Sequence, residues 1–480
     1  MKKYLCRILL LAMLLGLTAC GGENEAPKSS TPGETQAATP LLRAGYASVN
    51  ITPSDSVPMN EGGVGSDGLS QGLLDYLYAT CLYLVDDRGT ELYLVAFDLC
   101  NLYDFLPEYR LELAEKLGVS DSQLMFSASH THSSVNIKSK LPVISRYNED
   151  LREHLETVAR EAKKEARPVT GMYHTAIQTS GLNFVRRYIM EDGSYAGDNY
   201  GDHGLEYVAH ESQGDPQLQL LKLTRQGGRD ILLTNFQTHP HRTAYDSDNS
   251  SLSADIVGVY RTELESRLGC HAIYFTGASG NVNPTSRIPE ENIHKNYRTH
   301  GIAMADYAQR AAEDFKPLTL GPIRHSKTLF VGKSYLSENH KLPQARTVAQ
   351  RFEGGMSNKE ALAGYENLFV HARHAIAIVS RADWPETREV PLYAFCVGEF
   401  TACFAPFELF AELGLQIKEG SPFGATFVCC YSNDIFSYMP TELAFSHGGY
   451  GPYKCNFEPG TGEQIVAAVL AQTKSLYEAK

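Results

Sequence analysis

The sequence lacks an excess of positive charge: 43 Lys and Arg residues stand against 56 Asp and Glu residues, a formal charge of −13. Proteins that bind nucleic acids usually present a basic face, so this balance argues against that class. The sequence also lacks heptads, short repeats and, beyond residue 41, low-complexity tracts. Its composition, 43% hydrophobic and 21% charged, is typical of a globular protein.

No pair of cysteines has the C-x-x-C spacing of a structural zinc site or a redox dithiol. Eight cysteines follow residue 20, and most of them lie in apolar, strand-like runs, where a free cysteine behaves as a small hydrophobic residue. The adjacent Cys429 and Cys430 would point to opposite faces of a strand. We therefore expect mostly buried thiols, although the sequence leaves disulfides open.

The longest apolar run near the start, from Ile8 to Leu17, is too short for a membrane span of about 20 residues. It follows a basic beginning and precedes Leu-Thr-Ala-Cys20, a quartet that resembles the lipobox of bacterial lipoproteins. An ordinary signal peptide is the alternative. We expect residues 1–19 to be a lipoprotein signal peptide, Cys20 to be lipidated, and residues 20–41 to be a flexible tether. We expect the protein to lie in the cell envelope, anchored to the outer membrane or the cell surface.

Residues 42–480 alternate strand-like and helical patterns, which predicts an α/β domain with mixed sheets flanked by helices. One large catalytic domain is the preferred interpretation, and a polar stretch at 334–358 is the best candidate for an interior break. Predicted helices include 358–380 and 407–417. Several predicted strands end directly in polar or histidine-bearing loops, and sites in α/β proteins are built at such strand ends.

Two of these loops carry closely spaced histidines. His130 and His132 follow the apolar strand that ends near Ser127, and two histidines separated by one residue point the same way in an extended chain. His239 and Pro240 follow a second apolar strand. Imidazole is the commonest metal ligand, so both loops are candidate metal sites. Surface histidines without a function are the alternative for each.

Two further segments carry polar groups in apolar surroundings. Glu408 stands in Pro406-Phe407-Glu408, where a carboxylate needs a cation, a metal or hydrogen bonds, or sits in the first turn of a helix. Tyr438 begins Tyr-Met-Pro-Thr-Glu, and Tyr450 follows twelve residues later. The alternative for this segment is an aromatic turn that packs on the core.

Taken in order, these segments resemble the neutral, or neutral/alkaline, non-lysosomal ceramidase family. The family carries His-Thr-His-Ser after a strand, His-Pro after another, a Pro-x-Glu junction and a Tyr-x-x-Thr segment followed by an acid. The segments 44–53 and 275–284 also look like family segments. The resemblance covers roughly residues 42–477 and implies only the catalytic domain, without the C-terminal β-sandwich of well-known members.

The resemblance implies one Zn²⁺ per chain, held by His130, His239, Glu408 and Tyr438. It also implies catalytic roles for three residues: His132, Arg186 and Tyr450. Val185 replaces the usual asparagine before the arginine, so the choice between Arg186 and Arg187 stays open. Tyr438 is either a ligand or a donor beside the metal, because tyrosine ligands are uncommon. Asp98 and Asp255 either orient the histidines or serve as turn and cap residues.

The function implied is zinc-dependent hydrolysis of the N-acyl amide bond of ceramide or a related N-acyl lipid, giving fatty acid and amine. Such a reaction needs activated water, a polarised carbonyl and a proton for the leaving amine. The loop after His-Thr-His-Ser departs from the glycine-rich family pattern, so the substrate could differ. Two alternatives remain: a metallohydrolase of the same fold that acts on another amide or ester, and a non-catalytic surface lipoprotein that binds lipid or glycan.

Overall fold

A computed structural model describes residues 41–59, 68–103, 105–197, 205–246 and 250–479. The predicted signal peptide, Cys20 and nearly all of the tether lie outside the described residues, so those assignments stay predictions. Within the described ranges no helix is long and apolar enough to cross a membrane.

The described residues contain short and long strands throughout the chain. The strands are β1 Leu42–Asn50, β2 Gly72–Leu73, β3 Tyr78–Asp86, β4 Glu91–Phe97, β5 Leu124–Ala128, β6 Arg167–Gln178, β7 Phe184–Val185, β8 Arg187–Met190, β9 Tyr195–Gly197, β10 Tyr207–His210, β11 Gln217–Arg225, β12 Ile231–Phe236, β13 Ser251–Leu252, β14 His271–Thr276, β15 Val282–Asn283, β16 Lys316–Leu318, β17 Ile323–Lys333, β18 Thr387–Val397, β19 Phe400–Phe404, β20 Glu408–Leu409, β21 Ala425–Cys429 and β22 Tyr438–Met439. The helices are α1 Leu106–Leu117, α2 Pro142–Lys164, α3 Asp255–Leu268, α4 Tyr297–Ala311, α5 Leu342–Glu353, α6 Asn358–Leu362, α7 Ala372–Arg381, α8 Ala411–Gly420, α9 Glu442–His447, α10 Tyr450–Lys454 and α11 Thr461–Glu478.

Two mixed sheets form the centre of the domain. The first has the order β14-β12-β11-β6-β1-β3-β4-β5, with β16 added beside β6, and the second has the order β17-β18-β19-β21. Most neighbours are antiparallel, but β4 with β5, β12 with β14, and β19 with β21 are parallel pairs. The α/β domain with mixed sheets that the sequence predicts is therefore confirmed.

The two sheets pack face to face, and helices cover their outer faces. Alternate residues of both sheets, such as Leu84, Leu233 and Phe404, share one buried cluster between the sheets. The opposite face of β3 to β5 packs on α1 and α2, and the opposite face of the second sheet packs on α8 and α11. Helices α3 and α4 cover β11, β12 and β14. The layers therefore run helix, sheet, sheet, helix, which buries apolar side chains of most of the long strands.

The two edges of the first sheet meet. Its edge strands β5 and β14 lie at opposite ends of the strand order. Yet the hydroxyl of Thr276, at the end of β14, donates to the carbonyl of Ser129 just beyond β5 at 2.7 Å. The end of β21 bonds to both, through Ala128 N to Tyr431 O and Cys430 N to Thr276 O. This closure brings together the loops that follow β5, β12, β14, β19 and β21.

The two predicted helices at 358–380 and 407–417 are present only in part, as α6 with α7 and as α8. The first is interrupted between α6 and α7, where Gly364 has a φ of +85°, a conformation that helices do not contain. The second begins only at Ala411, because residues Glu408 and Leu409 pair as a strand with Tyr438 and Met439. The 334–358 stretch is no domain break: it contains α5, which packs with α6 and α7 around a small apolar cluster.

The eight cysteines of the described residues are all buried and form no disulfide with one another. Cys429 packs between the two sheets, while Cys430 packs in the cluster on the opposite face. Burial raises the pKa of the Cys403 and Cys430 thiols to about 12, so neither forms a thiolate readily. The expectation of buried thiols is confirmed for these residues.

Candidate metal and catalytic site

His130 and His239 converge from two loops of the first sheet. His130 follows β5 with a φ of +69°, so the loop turns sharply instead of continuing as an extended chain. His239 follows β12, and Pro240 beside it accepts a main-chain hydrogen bond from His132 at 3.1 Å, which ties the two loops together. The two imidazole rings lie 4.7 Å apart between centroids. The convergence expected from the sequence is present, although it arises from a left-handed turn.

Glu408 and Tyr438 enter the same place through a parallel strand pair. Strand β20 pairs with β22 in a register that sets Glu408 beside Tyr438. Neighbouring residues of paired strands project to the same face, so both side chains point into the site. Glu408 Oε2 lies 3.3 Å from His239 Nε2 and 3.6 Å from His130 Nε2.

Main-chain carbonyls orient both histidines. His130 Nδ1 lies 2.5 Å from the carbonyl oxygen of Cys100, and His239 Nδ1 lies 3.0 Å from that of Val282. A carbonyl only accepts, so each Nδ1 carries the hydrogen. Burial lowers the pKa of both rings, that of His130 to about 3, and a neutral ring then presents Nε2 as a lone pair. Both Nε2 atoms can therefore accept a hydrogen bond or bind a metal ion.

The acceptors face one another at short range. Within the described residues, His239 Nε2 and Glu408 Oε2 are buried atoms without a hydrogen-bond donor. Two facing acceptors repel unless a cation lies between them. Zinc–ligand bonds of ~2.0–2.1 Å in a tetrahedron separate the ligand atoms by about 3.3–3.4 Å, close to the distances around Glu408. The residues present fit a zinc ion, which His130, His239 and Glu408 would hold.

A second group of potential ligands, made of Cys100, His130 and His132, also lies close together. Cys100 Sγ is 3.8 Å from His130 Nδ1. That nitrogen already donates to the Cys100 carbonyl, so His130 has no lone pair on the side of the thiol. The group with Glu408 is therefore the better metal site.

The predicted catalytic residues surround this group. His132 Nε2 lies 3.3 Å from His130 Nε2, and burial together with the neighbouring His241 and His130 holds the pKa of His132 well below its usual range. Arg186 donates to the Tyr438 hydroxyl at 2.9 Å. The ring of Tyr450 lies 5.2 Å from that of Tyr438 and 6.0 Å from the Arg186 guanidinium. The structure thus brings every predicted site residue of the described chain into one cluster.

The Tyr438 hydroxyl lies between two groups of the site. It hydrogen-bonds to Glu408 and accepts a hydrogen bond from Arg186. Burial first, and then the Glu408 carboxylate, hold the pKa of Tyr438 well above its ordinary value. Whether Tyr438 is a ligand or a donor beside the metal stays a prediction.

Asp98 and Asp255 do not orient the histidines. Asp98 accepts hydrogen bonds from Tyr78 N and from the Arg261 guanidinium, which hold it away from both imidazoles. Asp255 accepts from the main chain of Arg242 and Thr243, where it stabilises a turn. The sequence left two interpretations open, and for Asp255 the interpretation as a turn residue is confirmed. The main-chain carbonyls of Cys100 and Val282, and not the two carboxylates, orient His130 and His239.

Sequence reasoning missed two residues of the site, Tyr431 and His241. Tyr431 stacks on the His130 ring at 3.8 Å and bonds to Ser279 through its hydroxyl at 2.8 Å. His241 packs against His132 at 4.2 Å, and burial first, then Arg186, lowers its pKa to about 4. The His239-Pro-His241 spacing repeats that of His130 and His132 and was a usable signal for His241. Nothing local in the Cys-Cys-Tyr431 run marks Tyr431.

Gly280 is a further residue on which the site depends. A Cβ at this position would lie 2.2 Å from the carbonyl oxygen of Glu408, far inside van der Waals contact. The Gly280 carbonyl in turn accepts from Arg186 at 2.7 Å. The 276–284 segment therefore fixes the backbone of Glu408 and the side chain of Arg186 together.

We expect Gly280→Ala to destabilise the protein by roughly 1–3 kcal/mol, the usual cost of overpacking, and to weaken zinc binding because Glu408 must move. Thermal unfolding and zinc titration measure the two effects. Gly424→Ala is the matched control, because its Cβ would meet nothing closer than 3.5 Å. Equal zinc affinity in the two variants would contradict the coupling.

Comparison with known proteins identifies the fold of this chain. No protein-family model matches the sequence, and no curated protein matches it. Solved structures do match it, and they show that the chain shares the fold of neutral ceramidases. One is a ceramidase complexed with C2, with a TM-score of 0.69 at 15% identity over 92% of this chain and 76% of that chain. Another is neutral ceramidase from Pseudomonas aeruginosa, with a TM-score of 0.67 at 16% identity over 92% and 75%.

Proposed function

We propose that this chain is a zinc-dependent hydrolase that cleaves the N-acyl amide bond of ceramide or a related N-acyl lipid, releasing a fatty acid and an amine. One observation carries the proposal. On a fold shared with neutral ceramidases, two neutral imidazoles and a carboxylate face one another as acceptors, with an arginine and a tyrosine beside them.

Zinc held by His130, His239 and Glu408 supplies Lewis acidity toward the substrate carbonyl and toward water. The chain's own groups supply the rest. Arg186 and Tyr450 are donors that face the Tyr438 side of the cluster, and they stabilise the negative charge that develops on the carbonyl oxygen. Tyr438 holds Arg186 in place through the 2.9 Å hydrogen bond.

His132 moves the proton in this proposal. Its Nε2 lies on the edge of the metal group, and its ring is neutral, so it accepts a proton from the attacking water and returns it to the leaving amine. The ring is held from both sides by its contacts with His130 and His241. Burial of the cluster strengthens each of these electrostatic interactions.

A substrate panel tests the proposal. The purified, zinc-loaded chain is incubated with ceramides of different acyl length, other N-acyl lipids and fatty acyl esters in mixed micelles, and free amine and fatty acid are quantified. We expect equimolar release from one or more amides, loss of activity with a chelator, and recovery with zinc. Ester cleavage alone would favour another metallohydrolase of this fold. Lipid binding without hydrolysis or bound metal would favour a non-catalytic protein.

A further inference from the structure

The backbone that leads into Tyr450 consists of two glycines in unusual conformations. Gly448 and Gly449 have φ values of +70° and +95° and connect α9 to α10, whose first residue is Tyr450. Glycine reaches such conformations readily, and it has the greatest backbone freedom of any residue. The position of the Tyr450 hydroxyl therefore depends on contacts that hold this segment in place.

Arg187 holds the segment from one side. Its guanidinium donates to the carbonyl of Gly448 at 2.8 Å and to that of Ala444, at the start of the last turn of α9, at 3.2 Å. A planar guanidinium offers several donors in a fixed fork, so one side chain joins two carbonyls rigidly. The same guanidinium also bonds to Glu211, at 3.0 Å from Nη2 to Oε1 and through Nε to Oε2.

Glu211 holds Arg187 and the segment at once. It accepts hydrogen bonds from the guanidinium and from His447, the last residue of α9. The Arg187 and Glu211 side chains are each only 9% exposed, and the Glu211 amide donates to the Arg187 carbonyl at 2.8 Å. Burial alone would raise the pKa of Glu211, but Arg187 and His447 lower it, which keeps the carboxylate charged.

Arg186 and Arg187 divide their contacts between two parts of the site. Adjacent residues of an extended chain point in opposite directions. Arg186 reaches Tyr438 and the Gly280 carbonyl, whereas Arg187 reaches the segment before Tyr450. One short stretch of chain therefore fixes both donors proposed to face the substrate carbonyl.

We propose that Arg187 and Glu211 are positioning residues, which clamp the 444–449 segment so that the Tyr450 ring stays beside Arg186 and Tyr438. This inference rests on the function proposed above. It assigns Arg187 a role distinct from that of its neighbour, and it assigns Glu211 and His447 to the same clamp.

A kinetic cycle tests the clamp. Arg187→Lys keeps the charge but loses the fork, and Glu211→Gln keeps the shape but loses the charge. We expect each to lower kcat at least about tenfold, because a shift of about 1 Å in a reacting group costs up to ~100-fold, with zinc content unchanged. In a Tyr450→Phe background each should cost less than about twofold, since the clamp acts through that hydroxyl. Equal losses in both backgrounds would overturn the proposal.

Arg225→Lys is the matched control. Arg225 is a buried arginine that also joins a glutamate, Glu165, to main-chain carbonyls, but it lies at the end of β11 remote from the His239 loop. We expect this variant to lose stability and to keep the wild-type kcat. A drop in its kcat equal to that of Arg187→Lys would show that loss of stability, not of the clamp, causes the effect.

Hydrogen exchange provides a readout that needs no substrate. We expect amides of residues 444–453 to exchange faster in Glu211→Gln than in the wild type, and those of β5 and β12 to be unchanged. Unchanged exchange at 444–453 would overturn the clamp even if the chain is an amidase. Faster exchange in a chain that hydrolyses no lipid amide would leave the clamp standing and defeat the proposed function instead.

Discussion

A His130→Asn variant is expected to lose its bound zinc and its amidase activity together. His130 adopts a φ of +69°, which asparagine tolerates better than alanine does, so the turn itself is preserved. The variant removes one of the two imidazole nitrogens that face Glu408. The loss of activity should exceed the ~10–100-fold that removal of an outer hydrogen-bond partner of a metal ligand costs.

Metal analysis of the purified variant, together with amide hydrolysis, measures the effect, and Glu408→Gln gives an independent test of the same group. His300→Asn is the matched control: His300 is also fully buried and also bonds a main-chain carbonyl, that of Leu182, but it lies on α4. We expect it to lower stability and keep one zinc per chain. Full zinc content in both His130→Asn and Glu408→Gln would exclude this cluster as the metal site.

Tyr450→Phe is expected to lower kcat by roughly 10²–10³-fold, the usual effect of removing one donor from an oxyanion. The ring remains, so its packing on Tyr438 and Tyr453 persists, and zinc content should not change. Steady-state kinetics with the best amide of the panel, alongside metal analysis, measures both quantities. The KM should change less than kcat, because the hydroxyl acts on charge that develops in the transition state.

The control for Tyr450 comes from the same short helix. Tyr453→Phe removes a hydroxyl from a ring that lies 5.3 Å from the Tyr450 ring, and we expect kcat to change little. If Tyr450→Phe lost zinc in parallel with activity, the hydroxyl would be a metal ligand or a structural group and not a transition-state donor.

Local sequence predicted the site better than it predicted the elements that build it. The histidine loops were recognised because each follows an apolar strand whose end is visible in the sequence. The predicted start of the helix at 407–417 was wrong because Glu408 and Leu409 pair with residues thirty positions later, and no local pattern encodes that pairing. The same strand pairing excludes the helix-dipole interpretation of Glu408.

The direction in which a side chain points was the other feature that the local sequence could not predict. The sequence left Arg186 and Arg187 as alternatives, and only the packing shows that the first reaches Tyr438 and the second the carbonyls of Ala444 and Gly448. Likewise, the sequence left Asp98 and Asp255 as candidates to orient the histidines, whereas Asp98 in fact bonds to Arg261 and Asp255 to the main chain of Thr243. Contacts between residues far apart in the chain decided each case.

The meeting of the sheet edges sets the order in which the site can be assembled. The candidate ligands are spread over about 300 residues of sequence, from His130 to Tyr438. Glu408 lies on a short strand whose pairing partner contains Tyr438. Contacts so distant in sequence form late in folding, since a large loop must close first. A growing chain therefore cannot assemble the full set of candidate ligands until nearly all of it has been synthesised. Truncated products that end before residue 438 would lack the strand that pairs with Glu408.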